Sequence, residues 1–324
     1  MHSGVFAMMP DWSDLSFFLE VARQGTVSGA SRRLGVEHTT VARRIERLEG
    51  VLGTPLFDRR REGYVPTEAG QALLPHAEAV ESAVLAAAEQ LGAPATAASG
   101  TVRLGAPEVF GTRVITPRLP QLLARHPELR IELMLTHRFP SLAAREADLI
   151  VTLNPPKTGR YVVTRLVDIH YYLYAAPAYL ASHAPIRRRD DLAAHGFVDY
   201  VQDELMSDSL RYLDELMSAP VRRYSSTSMM AQYEAIAAGI GLGMMTPYAI
   251  PPGSPLVALL PEEVVVSRTL WLAAPSDLFR LQRVRVMWDF LRVVAEADIL
   301  KVVPSAGRQL KNPGKAQSRR KTNN

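Results

Sequence analysis

The residues best equipped for chemistry in this 324-residue chain are arginines rather than catalytic acids, bases or thiols. Thr39, Thr40, Arg43 and Arg44 sit in a run whose apolar positions Val41, Ile45 and Leu48 repeat at helical spacing, so the polar set stands off the inner face. Arg59, Arg60 and Arg61 lie together in Leu56–Pro66, which reads as a hairpin with arginines at its tip. A guanidinium can fork onto a guanine edge or clamp a phosphate, so the chemistry offered is nucleic-acid recognition. The plainer alternative is a solvated charged face. Turn glycine Gly35, the arginine-bearing helix and the basic wing favour DNA only in combination.

Other reactive constellations fail on order or spacing. Gly239-x-Gly241-x-Gly243 closes a helix (229–238) and opens a strand, whereas a dinucleotide-binding glycine motif opens a helix, so packing glycines are expected. The eight histidines never pair at i, i+4, which gives zinc little support. His126, before Pro127, and His137 read as surface or capping residues. There is no Gly-x-Ser-x-Gly elbow and nothing like a catalytic triad. Met229-Met230 and Met244-Met245 read as core rather than a cofactor box. With no cysteine, disulfides, thiolate metal sites and cysteine nucleophiles are excluded, and a reducing cytoplasm is suited. The expectation is a cytoplasmic binding protein, not an enzyme, with no metal and no cofactor.

The elements that must position those arginines follow from pattern. Leu15, Phe18, Leu19 and Ala22 recur at helical spacing until Gly25; Thr26 can cap a second helix, Val27–Leu34, with Arg32 and Arg33 at its end. Small Ala30 and Ser31 ahead of Gly35, with Val41 after it, give the layout of a helix-turn-helix. Residues 11–66 are thus expected to form a winged helix-turn-helix and 67–91 one long helix. Small, uncharged residues at 92–100 read as a hinge. Alternating strands and helices from 101 to 300 argue for an α/β body, and 301–324 for a basic disordered tail. Six basic residues and no acid fall between Gly307 and Asn324; without them 31 of the 37 basic residues remain against 33 acidic ones. The net charge of +4 therefore belongs to the tail, and DNA binding must be argued from local placement. Met1–Pro10 does not read as a signal peptide, and no run of eighteen apolar residues suggests a membrane span.

At this point a resemblance becomes specific. Ala30-Ser-Arg-Arg-Leu-Gly-Val-Glu-His-Thr-Thr-Val-Ala-Arg-Arg-Ile-Glu-Arg-Leu-Glu49, Leu52-Gly-Thr-Pro-Leu-Phe-Asp-Arg59 and Thr67-Glu-Ala-Gly-Gln-Ala-Leu-Leu74 resemble the winged helix-turn-helix of LysR-type transcriptional regulators. Thr101-Val-Arg-Leu-Gly-Ala-Pro107, Ala175-Ala-Pro-Ala-Tyr-Leu180 and Ala238-Gly-Ile-Gly-Leu-Gly243 look like recurring motifs of that family's sensor. The reading head departs from the family: Glu37-His38-Thr39 stands where Ser-Gln-Pro is usual, and Ala42 where a serine is, so no half-site preference transfers. The resemblance implies an α/β architecture with an N-terminal winged helix-turn-helix, a long linker helix and a two-lobed effector domain like periplasmic binding proteins. Lobe 1 would take about 101–166 and 270–300, and lobe 2 about 167–269. The partners implied are double-stranded DNA carrying an inverted-repeat operator, a small-molecule effector, RNA polymerase, and further copies of the chain as a homodimer or homotetramer. A solute-binding protein and a small α/β enzyme are the rivals; the N-terminal module argues against the first, and the lack of a convergent acid, base or nucleophile set against the second.

Residue assignments follow. Arg32, Arg33, His38, Thr39, Thr40, Arg43, Arg44, Arg59 and Arg60 are expected to meet DNA. Leu73, Ala77, Val80, Val84, Ala87 and Leu91 alternate spacings of four and three, an a/d seam for a partner helix, with Thr67 capping its start. An effector should lie between the lobes, beyond strand carboxyl ends where helix N-termini offer free N–H groups. Pro107, Phe110, Gly111, Thr112, Thr136, Tyr200, Asp203, Ser226, Thr227 and Ser228 are the expected contacts, although Thr112, Thr227 and Ser228 could serve only as helix caps. Helix N-termini would favour a small anionic or polar metabolite, while Glu108 and Asp203 argue against a highly charged anion. The lobes are expected to be joined by strands crossing near Leu166–Ile169 and Ser267–Leu272.

Overall fold

The computed structural model describes residues 11–60, 63–92, 98–135, 141–205 and 207–304. Asp11 caps α1 (Trp12–Gln24) by accepting the Ser13 N–H, and Gly25, at φ +66°, ends it. Thr26 caps α2 (Val27–Leu34) through the Gly29 N–H at 3.0 Å, as its position predicts. Gly35, at φ +67°, makes the turn that a side chain would strain, and α3 (His38–Leu52) follows. Glu37 precedes α3 without capping it. The wing is the hairpin of β1 (Phe57–Arg60) with β2 (Gly63–Pro66), paired from Phe57↔Pro66 to Arg60↔Gly63. Phe18, Leu19, Val41, Ile45, Leu48 and Phe57 close one small core.

α4 (Glu68–Gly92) leaves this unit with Thr67 as its cap, the hydroxyl accepting the Gly70 N–H at 3.1 Å. Arg23 of α1 holds it by a two-pronged bond to Glu81, at 3.0 and 2.6 Å. The anticipated seam divides in two. Ala77 is buried and Leu73 half-buried in the helix-turn-helix core of the same chain, whereas Val80, Val84 and Ala87 are exposed. The seam's start is thus an intrachain contact, because α4 must pack its first turns on α1. The side chain of Leu91 lies outside the described residues, as does hinge segment 93–97.

Among the described residues the body is built on one mixed sheet of nine strands. Its first part holds β3 (Gly100–Ala106), α5 (Leu119–Arg125), β4 (Leu129–Leu135) and β5 (Leu149–Thr152). Then come β6 (Tyr161–Ala175), α6 (Pro177–Ser182), β7 (Gly196–Asp199), α7 (Tyr212–Leu216), β8 (Val221–Ser225) and α8 (Met229–Ala237). β9 (Leu242–Met245), β10 (Val257–Leu259), β11 (Val265–Pro275) and α9 (Gln282–Val294) complete it. The order is β4-β3-β5-β11-β6-β9-β7-β8, with β10 on β6. β3 runs parallel to β4 and β5, β7 runs parallel to β8 and β9, and the long antiparallel pair β6/β11 joins these triplets. That pair runs from Val265↔Tyr172 to Pro275↔Tyr161, with a register shift at Leu270/Trp271, and spans both stretches where crossing strands were expected.

Two of the three glycines are packing glycines, as expected, while Gly239 serves the turn at φ +80°. A Cβ on Gly241 would fall 2.5 Å from the Gly196 carbonyl oxygen, and one on Gly243 would fall 2.3 Å from Ile236 Cδ1. β9 can therefore sit beside β7 and under α8 only without side chains at those positions.

Candidate functional site

Two places in the chain are equipped to bind. The first is the outer face of α3 with the wing. His38, Thr39 and Arg43 are exposed there, Thr40 is half-buried, and no ion pair engages Arg43 among the described residues. Arg32 is exposed at the end of α2, with Arg33 beside it 3.8 Å from Glu20. On the wing, Arg59 reaches back to Glu46 of α3 at 3.1 Å and lies over the Tyr64 ring, while Arg60 is 3.5 Å from Asp58. Both wing pairs are solvent-exposed, so little free energy holds them against a phosphate.

Arg44 requires a correction, because it does not stand on the outer side. Its guanidinium turns inward to Asp14 Oδ1 and Ser13 Oγ, each at 3.1 Å, and covers the Phe17 ring at 5.5 Å. Asp14 is 2 % exposed and is also held by Arg47 at 2.5 and 2.7 Å. The physical reason is helical geometry: Arg44 and Arg47 are three residues apart, so they share a stripe at the edge of the α1 contact, from which both reach Asp14.

The second place is a cavity of about 200 Å³ in the sensor body. The carboxyl ends of five strands drawn from the two parallel triplets feed it: β3 supplies Pro107 and Glu108, β4 Leu135, β5 Leu153, β7 Tyr200, and β8 Thr227 and Ser228. Ile169 and Tyr171 of β6 and Leu270 of β11 add the crossing strands, so the cavity lies where the two parallel triplets meet. That is the position at which open α/β sheets take ligands. Phe110 and Tyr248 meet edge to face within its wall, ring centres 6.3 Å apart. Burial pushes the phenols of Tyr171, Tyr200 and Tyr248 well above their ordinary range, so they stay neutral.

Five of the ten expected effector contacts line this cavity: Pro107, Phe110, Tyr200, Thr227 and Ser228. Four do not, each for a local reason. Gly111 packs against Leu135, where a Cβ would come within 2.1 Å of Cδ2. Thr112 is exposed on the π-helical turn Phe110–Ile115, and Asp203 is exposed on the 3-10 turn Gln202–Glu204. Ser226 accepts the Ser228 N–H at 3.1 Å and gives its own N–H to the Asp199 carbonyl, which commits it to the turn. Thr136 lies outside the described residues.

The α8 N-terminus also differs from the expectation of free N–H groups. Glu108 Oε2 accepts the Met229 N–H at 2.8 Å, and Glu108 Oε1 accepts the Ser228 hydroxyl at 2.8 Å. Ser228 Oγ in turn caps the helix by accepting the Ala231 N–H. The carboxylate thus spans 120 residues of sequence to occupy the anion-favouring end of a helix in the other triplet. Sequence reasoning noticed Glu108 only as a charge. It missed Ile169 and Tyr171, whose i, i+2 spacing on one strand face was the available signal.

The comparisons agree with this geometry. The chain matches the model of the bacterial regulatory helix-turn-helix protein, lysR family, over residues 12–71, and that of the LysR substrate binding domain over 95–296. It is 26% identical to the probable HTH-type transcriptional regulator LtrA of Klebsiella pneumoniae, covering 86% of this chain and 93% of that one. Identity is also 26% to the HTH-type transcriptional activator TtdR of Escherichia coli (strain K12), covering 88% and 94%. Full-length LysG of Corynebacterium glutamicum, solved with bound effector arginine, shares the fold at a TM-score of 0.61 and 19% identity, covering 88% and 98%. With its helix-turn-helix, its substrate-binding domain and curated relatives over nearly their whole length, this chain belongs to the LysR family of transcriptional regulators.

Proposed function

We propose that the protein controls transcription in the cytoplasm by binding an inverted-repeat operator as a dimer, and as a tetramer built from two dimers. A small molecule in the cavity between the strand triplets alters that binding. α3 enters the major groove with Thr39 and Arg43 toward base edges and phosphates, and Arg59 and Arg60 of the wing meet the adjoining backbone. Arg32, Arg33, His38 and Thr40 flank that contact. Val80, Val84 and Ala87 of α4 face the partner's copy. The action is binding rather than catalysis, with RNA polymerase as the downstream partner at the promoter.

One observation carries the reading. A single chain joins an exposed arginine-bearing face to a partly open cavity at the carboxyl ends of strands from two parallel triplets. The bound arginine in LysG supports a small-molecule effector in this fold. Selection of bound duplexes from random sequence by the full chain tests it: a two-fold-symmetric motif with half-sites about one helical turn apart is expected. Recovery of no sequence preference, with binding unchanged by Arg43→Ala and Arg59→Ala together, would overturn it.

A further inference from the structure

The cavity's walls carry information about the chemical class of its ligand. Among the described lining residues Glu108 is the only charged group, and both its oxygens are already bonded to Ser228 and Met229. The place where a ligand carboxylate or phosphate would find helix N–H donors is therefore filled by the protein's own carboxylate. No described lining residue is a lysine, arginine or histidine, so among the described residues a second anion would meet the Glu108 charge with no cation beside it. Desolvating that anion would add its own cost.

What the cavity does offer is aromatic surface and neutral hydrogen-bonding groups. Phe110, Tyr171, Tyr200 and Tyr248 supply rings, and Leu153, Ile169 and Leu270 supply aliphatic contact. Tyr171 and Tyr200 are 4 % and 7 % exposed, and among the described residues neither hydroxyl has a hydrogen-bond partner. A hydroxyl in that state on the cavity wall can bond a ligand that gives or accepts a hydrogen bond. Size is bounded too. An apolar cavity of about 150 Å³ holds one benzene ring, so the extra volume here admits a ring and a short substituent.

We propose that the cavity takes a neutral, single-ring molecule of about ten non-hydrogen atoms bearing a hydroxyl or amide, and turns away carboxylates and phosphates. The inference rests on reading this cavity as the effector site. Glu108 sets the charge selectivity, the tyrosine and threonine hydroxyls hold the ligand's polar group, and the aromatic wall holds its ring.

Three probes of matched shape test the class on the full-length protein: benzamide, benzyl alcohol and benzoate, titrated at pH 7.5 to about 20 mM with ligand-observed NMR. The neutral pair is expected to bind at least about tenfold more tightly than benzoate. Glu108→Gln, which keeps an acceptor and removes the charge, is expected to narrow that ratio by about tenfold through stronger benzoate binding, with benzamide changed less than about threefold. Thr227→Trp, at a half-buried lining position, is expected to abolish binding of all three. Benzoate binding as well as benzamide, and lost in Thr227→Trp, overturns the ligand class while the cavity stands as the site. Binding of benzamide and benzyl alcohol that Thr227→Trp leaves intact overturns the cavity itself. Because the benzamide-to-benzoate ratio of the unaltered protein needs no variant, equal affinities, or no binding by any probe, defeat the proposal even if a variant misfolds.

Discussion

Two adjacent arginines on α3 are placed differently, Arg43 exposed and Arg44 turned onto α1, and alanine substitution should separate them. Arg43 is exposed and has no ion-pair partner among the described residues, so on the proposed docking Arg43→Ala should remove a DNA contact at almost no cost in folding free energy. Each phosphate neutralised releases condensed counterions, so losing one contact flattens the log K against log salt slope by about 0.9. Arg44 is tied to Asp14, Ser13 and the Phe17 ring with its side chain 29 % exposed. Two hydrogen bonds and a cation–π contact of that exposure are worth about 1–2 kcal/mol after discounting for solvent screening. The loss stays that small because Arg47 still holds Asp14.

Removing both arginines is a different perturbation. Arg44→Ala with Arg47→Ala strips both counter-charges from Asp14, which is 2 % exposed in the intact chain, a change that costs up to about 3–5 kcal/mol, less by whatever water reaches the uncovered carboxylate. Thermal unfolding and anisotropy titrations of a labelled duplex between about 50 and 200 mM KCl read both effects. Arg43→Ala should flatten the slope at unchanged midpoint temperature, Arg44→Ala should lower the midpoint by several degrees at unchanged slope, and the double variant should unfold the helix-turn-helix. If Arg44→Ala flattens the slope as much as Arg43→Ala does without loss of stability, the assignment of Arg44 to the α1 contact is refuted.

Val80 and Val84 are 41 % and 45 % exposed on α4, so Val80→Asp should shift sedimentation toward the monomer at micromolar concentration; an unchanged oligomer would count against α4 as the seam. Gly241→Ala drives a Cβ to 2.5 Å from a backbone oxygen and should cost roughly 2 kcal/mol in urea unfolding, and an unaltered midpoint would show that β9 is free to shift. His195 is buried beside Tyr179, and burial first, then His183, depresses its pKa below 6.5, with Asp191 acting in the opposite sense. The unfolded chain therefore binds the proton first, and sensor stability should fall as pH drops through about 6.5, by at most about 1.4 kcal/mol per pH unit from this group. His195→Gln should remove that share of the pH dependence; a profile identical to the parent's would place its source elsewhere.

How much of this was legible in sequence depended on how local the determinant is. Thr26 and Thr67 as caps, Gly25 and Gly35 as stops, and the wing hairpin are set by near neighbours, and each falls where spacing placed it. The packing role of Gly241 was readable from the order of helix, glycine and strand alone. Arg44 was misassigned because the α3 pattern marks an inner face for apolar residues but does not reveal a buried acid on α1. Likewise the junction after β3 was legible, but which of its residues face the cavity was not: Pro107 and Phe110 line it, whereas Gly111 packs on Leu135 and Thr112 is exposed. The Glu108 bond to the α8 N-terminus joins residues 120 positions apart, and no periodicity encodes such a pairing.

The same distinction between local pattern and distant pairing governs how the two binding places are joined. Glu78 and Glu81 lie three apart on α4, hence on one stripe of the helix. Glu81 binds Arg23 of the helix-turn-helix, and Glu78 lies 3.7 Å from Arg145 of the sensor, which also pairs with Asp277. Arg23 and Arg145 are 5 % and 9 % exposed, so each contact is largely withdrawn from solvent screening. Burial outweighs the Arg145 charge at Glu78 and raises its pKa. Arg145 itself sits at φ +54° with Nε and Nη1 unpartnered among the described residues, a strained and under-bonded position for a buried cation. Adjacent turns of one helix are thus gripped by different domains, firmly on the DNA side and less so on the sensor side. A movement of the sensor against the helix-turn-helix would disturb the Arg145 contact before the two-pronged Arg23–Glu81 bond.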